Sequence, residues 1–332
     1  MTEAETAVRA TAVLGTIGRK RFCFALTDEQ GMLRPDTRRS YDAAVTTGVS
    51  GALAAYQRDL ALSALPSRSA IAVAGLARGD AISITRTRWF LSRSGLHAML
   101  GESPLILNDF AAEAWALHGA DERPQEMFGG GATLSVRRPG CYMLLGITSG
   151  LGSAVLNHSE TGEVTVLPTE AGHGIFAGVT DELAQLAADL FPGRRPVVAE
   201  DVISASGLLA IYALVARRTG AVMRARTPED VTRTVAIDPV ARQACELLSR
   251  AFWAQAGSLV VTYGAWDGLF VTGGLAGAIR PLLRRPEAQA PFLACSRYGR
   301  VLAAVPRGFV SLEMGELIGT AEALRYQQAL AR

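Results

Sequence analysis

The sequence lacks the features that would mark a membrane or secreted protein. No apolar run reaches the ~20 residues that a membrane-spanning helix needs. The segment from Met1 to Val8 is mostly polar and acidic, without a basic stretch followed by an apolar one, so we expect no signal peptide. These absences predict a cytoplasmic protein that has no membrane partner.

The 332 residues also contain few cysteines and carry a small net charge. The four cysteines form no C-x-x-C pair, which favours separate buried thiols in a reducing compartment; they are Cys23, Cys141, Cys245 and Cys295. A net charge of +2 gives no reason to expect nucleic acid or an anionic membrane as a partner. The P-loop motif and a G-x-G-x-x-G after the first strand are both missing, which argues against P-loop and dinucleotide-binding proteins.

What the sequence does contain is typical of a large α/β protein. Hydrophobic residues make up 49%, charged residues 19%, and there are 34 glycines, which suits two cores with many tight turns. The chain's start and middle share one plan, a strand, a glycine turn and a second strand. The first copy predicts strands at 9–14 and 22–27 around a turn at 15–21, and the second has a strand at 142–147 before a turn at 148–152.

Further strands and helices are predicted by short apolar runs and by apolar residues at helical spacing. The remaining strands are expected at 69–73, 105–108, 268–272 and 309–313. Helices are expected at 42–60, 110–118, 239–264 and 315–330.

One polar pair lies where an apolar strand meets a helix. Asn108 and Asp109 follow Leu105-Ile106-Leu107 and precede Phe110. Strand ends in α/β sheets point into ligand crevices, which makes the pair a candidate site. The alternative interpretation is that Asp109 only caps the helix.

A second candidate lies on the small-residue segment Pro168–Gly174. Glu170 and His173 are three residues apart, so both side chains can face one ligand, and such a pair suits a polyhydroxylated substrate. A surface turn without a ligand explains the segment equally well. We see no further ligands nearby and predict no metal site built from protein side chains.

Three glycine turns form a third set of candidates. They lie at 15–18, 146–152 and 273–274. Glycine lets backbone N–H groups approach phosphate oxygens closely, although such turns also simply connect strands.

The order of these motifs resembles the bacterial glucokinase family from about Val13 to the terminal helix. The similar blocks are Thr85 with Trp89 (T-N-x-x-W), Leu105–Phe110 (I-N-D-F), Gly146–Gly152 (G-x-G-T-G-L-G), Pro168–His173 (P-x-E-G-G-H), Ala199–Ser204 (E-R-V-L-S) and Phe270–Gly274 (F-I-A-G-G). The resemblance implies two α/β domains of the actin-like ATPase (ribonuclease H-like) type with a cleft between them. The smaller domain would comprise 1–110 plus 316–332 and the larger 111–315.

The resemblance also implies substrates and residue roles. The chain would phosphorylate glucose or a related hexose with ATP and Mg²⁺, as a homodimer. Asp109 would be the general base for the 6-hydroxyl. The sugar-binding residues would be Asn108, Glu170, His173 and Glu200. The nucleotide and its phosphates would meet Gly15, Thr16, Gly18, Thr148, Ser149, Gly150, Gly273 and Gly274.

The first phosphate loop departs from the family pattern G-D-x-G-G-T-N-x-R. Thr16 stands where the family has an acid that helps to hold Mg²⁺, and a hydroxyl is a poor substitute for a carboxylate. Basic residues follow at Arg19, Lys20 and Arg21, and Cys23 replaces the final arginine.

Two interpretations of this loop stay open. The chain is a working hexose kinase in which Arg19, Lys20 and Arg21 offset the lost carboxylate, or it is an impaired homologue that acts as a sugar sensor or regulatory partner. The basic triplet is also compatible with a plain solvated hairpin tip. A sugar-responsive repressor is disfavoured, because the first strand starts near Arg9 and leaves no room for a helix-turn-helix module.

Overall fold

The computed structural model describes residues 10–120, 124–131 and 133–331. These residues divide into two compact units. The first has chain bounds Met1–Glu122 and Leu312–Arg332, and the second has Arg123–Ser311. No helix in the part of the chain that the structure describes is long and apolar enough to cross a membrane.

The first unit is built on a five-stranded sheet. Its strands are β1 (Val13–Ile17), β2 (Arg21–Thr27), β3 (Leu33–Asp42), β4 (Ser69–Val73) and β7 (Leu105–Asn108), with a separate small hairpin of β5 (Ala81–Ser83) and β6 (Phe90–Ser92). Its helices are α1 (Val49–Asp59), α2 (Arg93–Leu100), α3 (Asp109–Ala120) and α13 (Gly315–Leu330). The sheet order is β3-β2-β1-β4-β7, antiparallel from β3 to β1 and parallel from β1 to β7.

The second unit contains a six-stranded sheet. Its strands are β8 (Glu126–Gly129), β9 (Gly140–Ile147), β10 (Leu151–His158), β11 (Val164–Thr169), β12 (Gly268–Thr272) and β13 (Arg307–Phe309). Its helices are α4 (Asp181–Leu190), α5 (Ala199–Val202), α6 (Ala205–Thr219), α7 (Pro228–Thr234), α8 (Pro239–Tyr263), α9 (Gly274–Ala278), α10 (Arg280–Leu283), α11 (Pro286–Ala294) and α12 (Gly299–Ala304), with a 3₁₀ turn at Ala171–His173.

The two sheets follow one plan. In the second sheet the order is β11-β10-β9-β12-β13-β8, with β11, β10 and β9 antiparallel and β9, β12 and β13 parallel. In each sheet three consecutive strands of the chain form an antiparallel meander. The first of these three in sequence, β1 or β9, also pairs in parallel with a later strand, β4 or β12. This arrangement confirms the strand–turn–strand duplication predicted from the sequence.

Helices α3 and α13 pack with their backbones in direct contact. A Cβ atom at Gly319 would lie against the carbonyl group of Ala112 and 3.0 Å from the nitrogen of Ala116. Only glycine fits between two backbones at this separation. Because of this close approach, the beginning of α13 packs against α3.

The predicted first strand was wrong at its end. Strand β1 continues through Gly15 and Thr16 to Ile17, and the hairpin closes with the Gly18 N–H donating to the Arg21 carbonyl over 3.0 Å. A Cβ at Gly15 would lie 3.1 Å from the Phe24 ring, so this glycine accommodates a buried aromatic side chain within the sheet. Arg9, the predicted beginning of this strand, lies outside the described residues.

Two other predicted elements were also wrong in their bounds. Helix α1 begins at Val49, because Asp42 still pairs with Arg21 in the sheet and its carboxylate accepts from the Ala44 N–H over 2.8 Å. The last strand is Arg307–Phe309, two residues before the predicted start.

This last strand was hard to predict because it begins with a buried arginine, Arg307. The Arg307 guanidinium donates to the carbonyls of Leu302 and Val305 over 3.1 and 2.8 Å, and its Nε donates to the Gln289 side chain over 3.2 Å. A charged residue rarely lies in a core strand unless its donors are satisfied in this way.

Candidate active site

Asn108 and Asp109 lie where β7 meets α3. Asn108 is buried, its side-chain oxygen accepts from the Ala111 N–H over 3.1 Å, and its amide donates to the Gly75 carbonyl over 3.5 Å. Asp109 accepts from the Phe110 N–H over 2.9 Å. Asn108 therefore satisfies the N–H three residues ahead, as an N-cap does, which is the role that the alternative interpretation gave to Asp109.

A second carboxylate, which sequence reasoning missed, follows Asp109 by one helical turn. Glu113 is four residues further along α3 and so lies on the same face. Its Oε2 atom is shut off from solvent and has no hydrogen-bond partner among the residues that the structure describes. Burial, with the negative charges of Glu316 and Asp109 added, raises the pKa of Glu113 to about 8.

Thr16 contacts a third carboxylate, in the first turn of α13. Burial raises the pKa of Glu316, and the nearby Thr16 side chain lowers it. A Cβ at the neighbouring Gly315 would lie 3.6 Å from the Glu113 Cγ. The residue that replaces the loop acid is thus in contact with an acid from another part of the chain.

The basic triplet lines a different cavity of the same unit. This cavity, of about 560 Å³, is lined by Arg19, Lys20, Arg21, Asp42, Ala43, Ala44, Thr87, Arg88 and Trp89. The Arg88 guanidinium stacks on the Trp89 ring at 4.8 Å, and the Arg21 Nε donates to the Ser40 hydroxyl over 2.7 Å. Gly18 lies at the hairpin turn beside the triplet and does not line this cavity.

In the second unit, the segment with Glu170 and His173 is fixed against α5. The Ala199 N–H donates to the Gly174 carbonyl over 2.8 Å, and the Phe176 N–H donates to the Val197 carbonyl over 2.9 Å. These bonds hold the 3₁₀ turn beside the helix that carries Glu200. Two blocks that are separate in sequence therefore form one polar cluster.

The pKa of Glu170 shows that His173 and Glu200 act on this carboxyl group. Burial raises the pKa of Glu170, His173 lowers it, and the negative charge of Glu200 raises it. His173 and Glu200 are thus both close enough to influence Glu170. Carboxylate and imidazole groups in such a cluster can accept from and donate to several hydroxyls.

The second glycine hairpin adjoins the same cluster. The Glu200 Oε2 accepts from the Leu151 N–H over 3.1 Å, and a Cβ at Gly150 would lie 2.8 Å from the Glu200 Cδ. Thr148 and Ser149 at the tip of the hairpin are exposed. Glycine at 150 therefore leaves room for the Glu200 carboxylate beside the exposed tip of the hairpin.

Gly273 and Gly274 directly follow β12 and lie close to this hairpin. Gly273 has φ +99° and ψ 149°, and a Cβ there would lie 2.8 Å from the carbonyl carbon of Ile147. A Cβ at Gly274 would meet nothing within 4 Å. The first glycine is required by packing, whereas the second leaves open space at the start of α9.

The described residues do not form a ready-made metal site. No group of three His, Cys, Asp or Glu side chains within residues 10–120, 124–131 and 133–331 is arranged to hold a metal ion. An isolated glutamate inside the apolar stretch Phe110–Leu117 is the sequence signal that could have identified Glu113. Nothing in the sequence indicated that Glu316 would contact Thr16.

Comparison with known proteins shows the family of this chain. The family model described as Glucokinase matches residues 13–327. The glucokinase of Stenotrophomonas maltophilia strain R551-3 is 33% identical over 307 residues, which cover 91% of this chain and 90% of that protein.

Two solved structures share the fold. The glucokinase of Balamuthia mandrillaris, solved in complex with glucose, has a TM-score of 0.80 at 17% identity and covers 97% of this chain and 95% of its own. A ROK family glucokinase from Streptomyces griseus, solved with glucose and AMPPNP, has a TM-score of 0.62 at 15% identity and covers 95% and 99%. The predicted actin-like ATPase fold class is confirmed, and the family match over 13–327 means that the chain belongs to the glucokinase family.

Proposed function

We propose that this chain is an ATP-dependent hexose kinase that phosphorylates glucose at its 6-hydroxyl. The observation that carries the proposal is the contact between Glu200 and the Gly150 hairpin. This contact joins a cluster suited to sugar hydroxyls to a loop suited to phosphate. The family match and the glucose complexes of the two fold relatives support the choice of substrate.

In this proposal polar side chains bind the hydroxyls of the sugar. Glu170, His173 and Glu200 bind hydroxyls in the second unit, and Asn108 binds another in the first. A hydroxyl missing from a competing sugar would leave one of these groups unpaired, which is the physical origin of specificity.

Asp109 is the proposed general base. Its carboxylate takes the proton of the sugar hydroxyl as the oxygen attacks the γ-phosphorus of ATP, and ADP leaves. Phosphoryl transfer depends mostly on positioning and charge stabilisation, so one oriented base suffices on the protein side. Mg²⁺, when bound, neutralises charge on the phosphate oxygens.

The nucleotide contacts are proposed on the three glycine segments. Gly15, Thr16 and Gly18 belong to the first hairpin, Thr148, Ser149 and Gly150 to the second, and Gly273 and Gly274 to the start of α9. The open space at Gly274 and the exposed tip of the second hairpin support this assignment.

A second candidate function is favoured by one specific observation. Thr16 replaces the acid of the first loop, and the basic triplet lines a cavity that does not include Thr16. A chain that keeps the sugar cluster but turns over ATP very slowly would act as a sugar sensor or regulatory partner. Cytoplasmic location and a homodimer stay predictions under both functions, and light scattering of the purified chain tests the dimer.

ADP release from Mg-ATP with and without glucose separates the two functions. Glucose-dependent release supports the kinase. Glucose binding by calorimetry without any release supports the sensor and overturns the kinase.

A substitution in the sugar cluster tests the hexose assignment. We expect Glu170→Gln to weaken glucose binding about tenfold, because the neutral amide loses a charge-assisted hydrogen bond. Titration calorimetry measures the affinity. Glu160→Gln, an exposed change in the same unit, is the control, and equal affinities for both variants and the parent would remove Glu170 from the sugar site.

A further inference from the structure

The first unit contains a cavity of about 290 Å³ beside Thr16, and the proposed mechanism does not use the carboxylates of this cavity. It is lined by Thr16, Cys23, Arg38, Glu113, Leu312, Glu313, Met314, Gly315, Glu316 and Leu317. We call it the acidic cavity, because three carboxylates line it and Asp109 lies one helical turn from Glu113. Arg38, the one cation of the lining, is exposed and has no carboxylate partner within the described residues.

One carboxylate of the acidic cavity is orphaned. The Glu113 Oε2 atom is sealed from bulk solvent and has no donor among the residues that the structure describes. An ionised carboxylate at this position lacks the donor or counter-charge that its burial requires, which a cation bound in the cavity would supply.

The second carboxylate, Glu316, is held on the same cavity by packing and by Thr16. The glycine contact between α3 and α13 fixes the beginning of α13 against Glu113, and Thr16 lines the same cavity as Glu316 and lowers its pKa. Two carboxylates from different helices therefore line one cavity next to the strand that leads into the first hairpin.

This donor set fits a small hard cation. Mg²⁺ usually keeps several waters and takes only one or two carboxylates, with substrate phosphates completing its shell. Hence the lack of a three-residue cage in the described part of the chain is compatible with such an ion. No histidine is among the residues that line the cavity.

We propose that Glu113 and Glu316 hold a hydrated divalent cation, Mg²⁺ or its analogue Mn²⁺, and so supply the carboxylates that the first loop lacks at Thr16. The role of this ion in phosphoryl transfer rests on the proposed function, whereas its binding does not. Thr16 then acts as a positioning residue that orients Glu316.

Mn²⁺ binding to the full-length protein without nucleotide tests the proposal. Electron paramagnetic resonance counts free Mn²⁺ directly and needs no enzymatic activity. We expect one site in the parent protein, weakened at least about tenfold by Glu113→Gln and separately by Glu316→Gln. Glu29→Gln, an exposed change in the same unit, leaves the affinity unchanged, and circular dichroism verifies the fold of each variant.

The outcomes separate this inference from the proposed function. No Mn²⁺ site in the parent, or a site that both substitutions leave intact, overturns the inference even if glucose-dependent turnover is found. A site lost in Glu113→Gln and Glu316→Gln supports it even if turnover is absent. Because the two variants change different helices, failure of one to fold leaves the other as the test.

Discussion

Asp109→Asn should abolish most glucose-dependent ADP release while leaving glucose affinity nearly unchanged. The asparagine keeps an oxygen that can accept from the Phe110 N–H, as Asp109 does over 2.9 Å, so the start of α3 is preserved. It cannot take a proton at neutral pH. Loss of a positioned base costs about 10²-fold or more in rate, and steady-state kinetics together with calorimetry measure the two effects separately.

A matched substitution guards against a general effect of charge removal. Asp36→Asn changes an exposed aspartate of the same unit that pairs with the nearby Arg34, and its turnover should equal that of the parent. Equal turnover in Asp109→Asn and the parent would exclude Asp109 as the base. A parallel loss of sugar affinity would instead assign Asp109 to binding.

Gly273→Ala should lower the free energy of unfolding by about 2 to 4 kcal/mol. The backbone at Gly273, with φ +99° and ψ 149°, lies in a region that is essentially confined to glycine. The added methyl would also press on the backbone of Ile147, 2.8 Å from its carbonyl carbon. Chemical denaturation with an unchanged slope measures the loss.

The neighbouring glycine provides the control for this prediction. Gly274→Ala adds the same methyl group in open space at the first residue of α9, where alanine favours the helix. Its stability should stay within about 0.5 kcal/mol of the parent. Similar losses in both variants would show that the contact with Ile147 does not govern the stability of this turn.

The sequence predicted the candidate site well where a motif is local. Asn108 and Asp109 were expected at a strand end, and both lie there because an apolar strand followed by a polar pair and an apolar helix has one simple arrangement. The bounds of the elements were less predictable. Strand β13 was misplaced because Arg307 looks like a surface residue until its carbonyl partners are known.

The sequence by itself determined the family, the fold class and the candidate polar residues, since these depend on the order of motifs along one chain. Only the tertiary structure decided which acids meet. Glu316 is three hundred residues from Thr16 in sequence, and the two are joined because Gly319 lets α13 approach the backbone of α3. Glu200 meets the Gly150 hairpin for a similar reason, a glycine that leaves space for a carboxylate. Such contacts depend on the distance between packed backbones, which no local pattern of residues encodes.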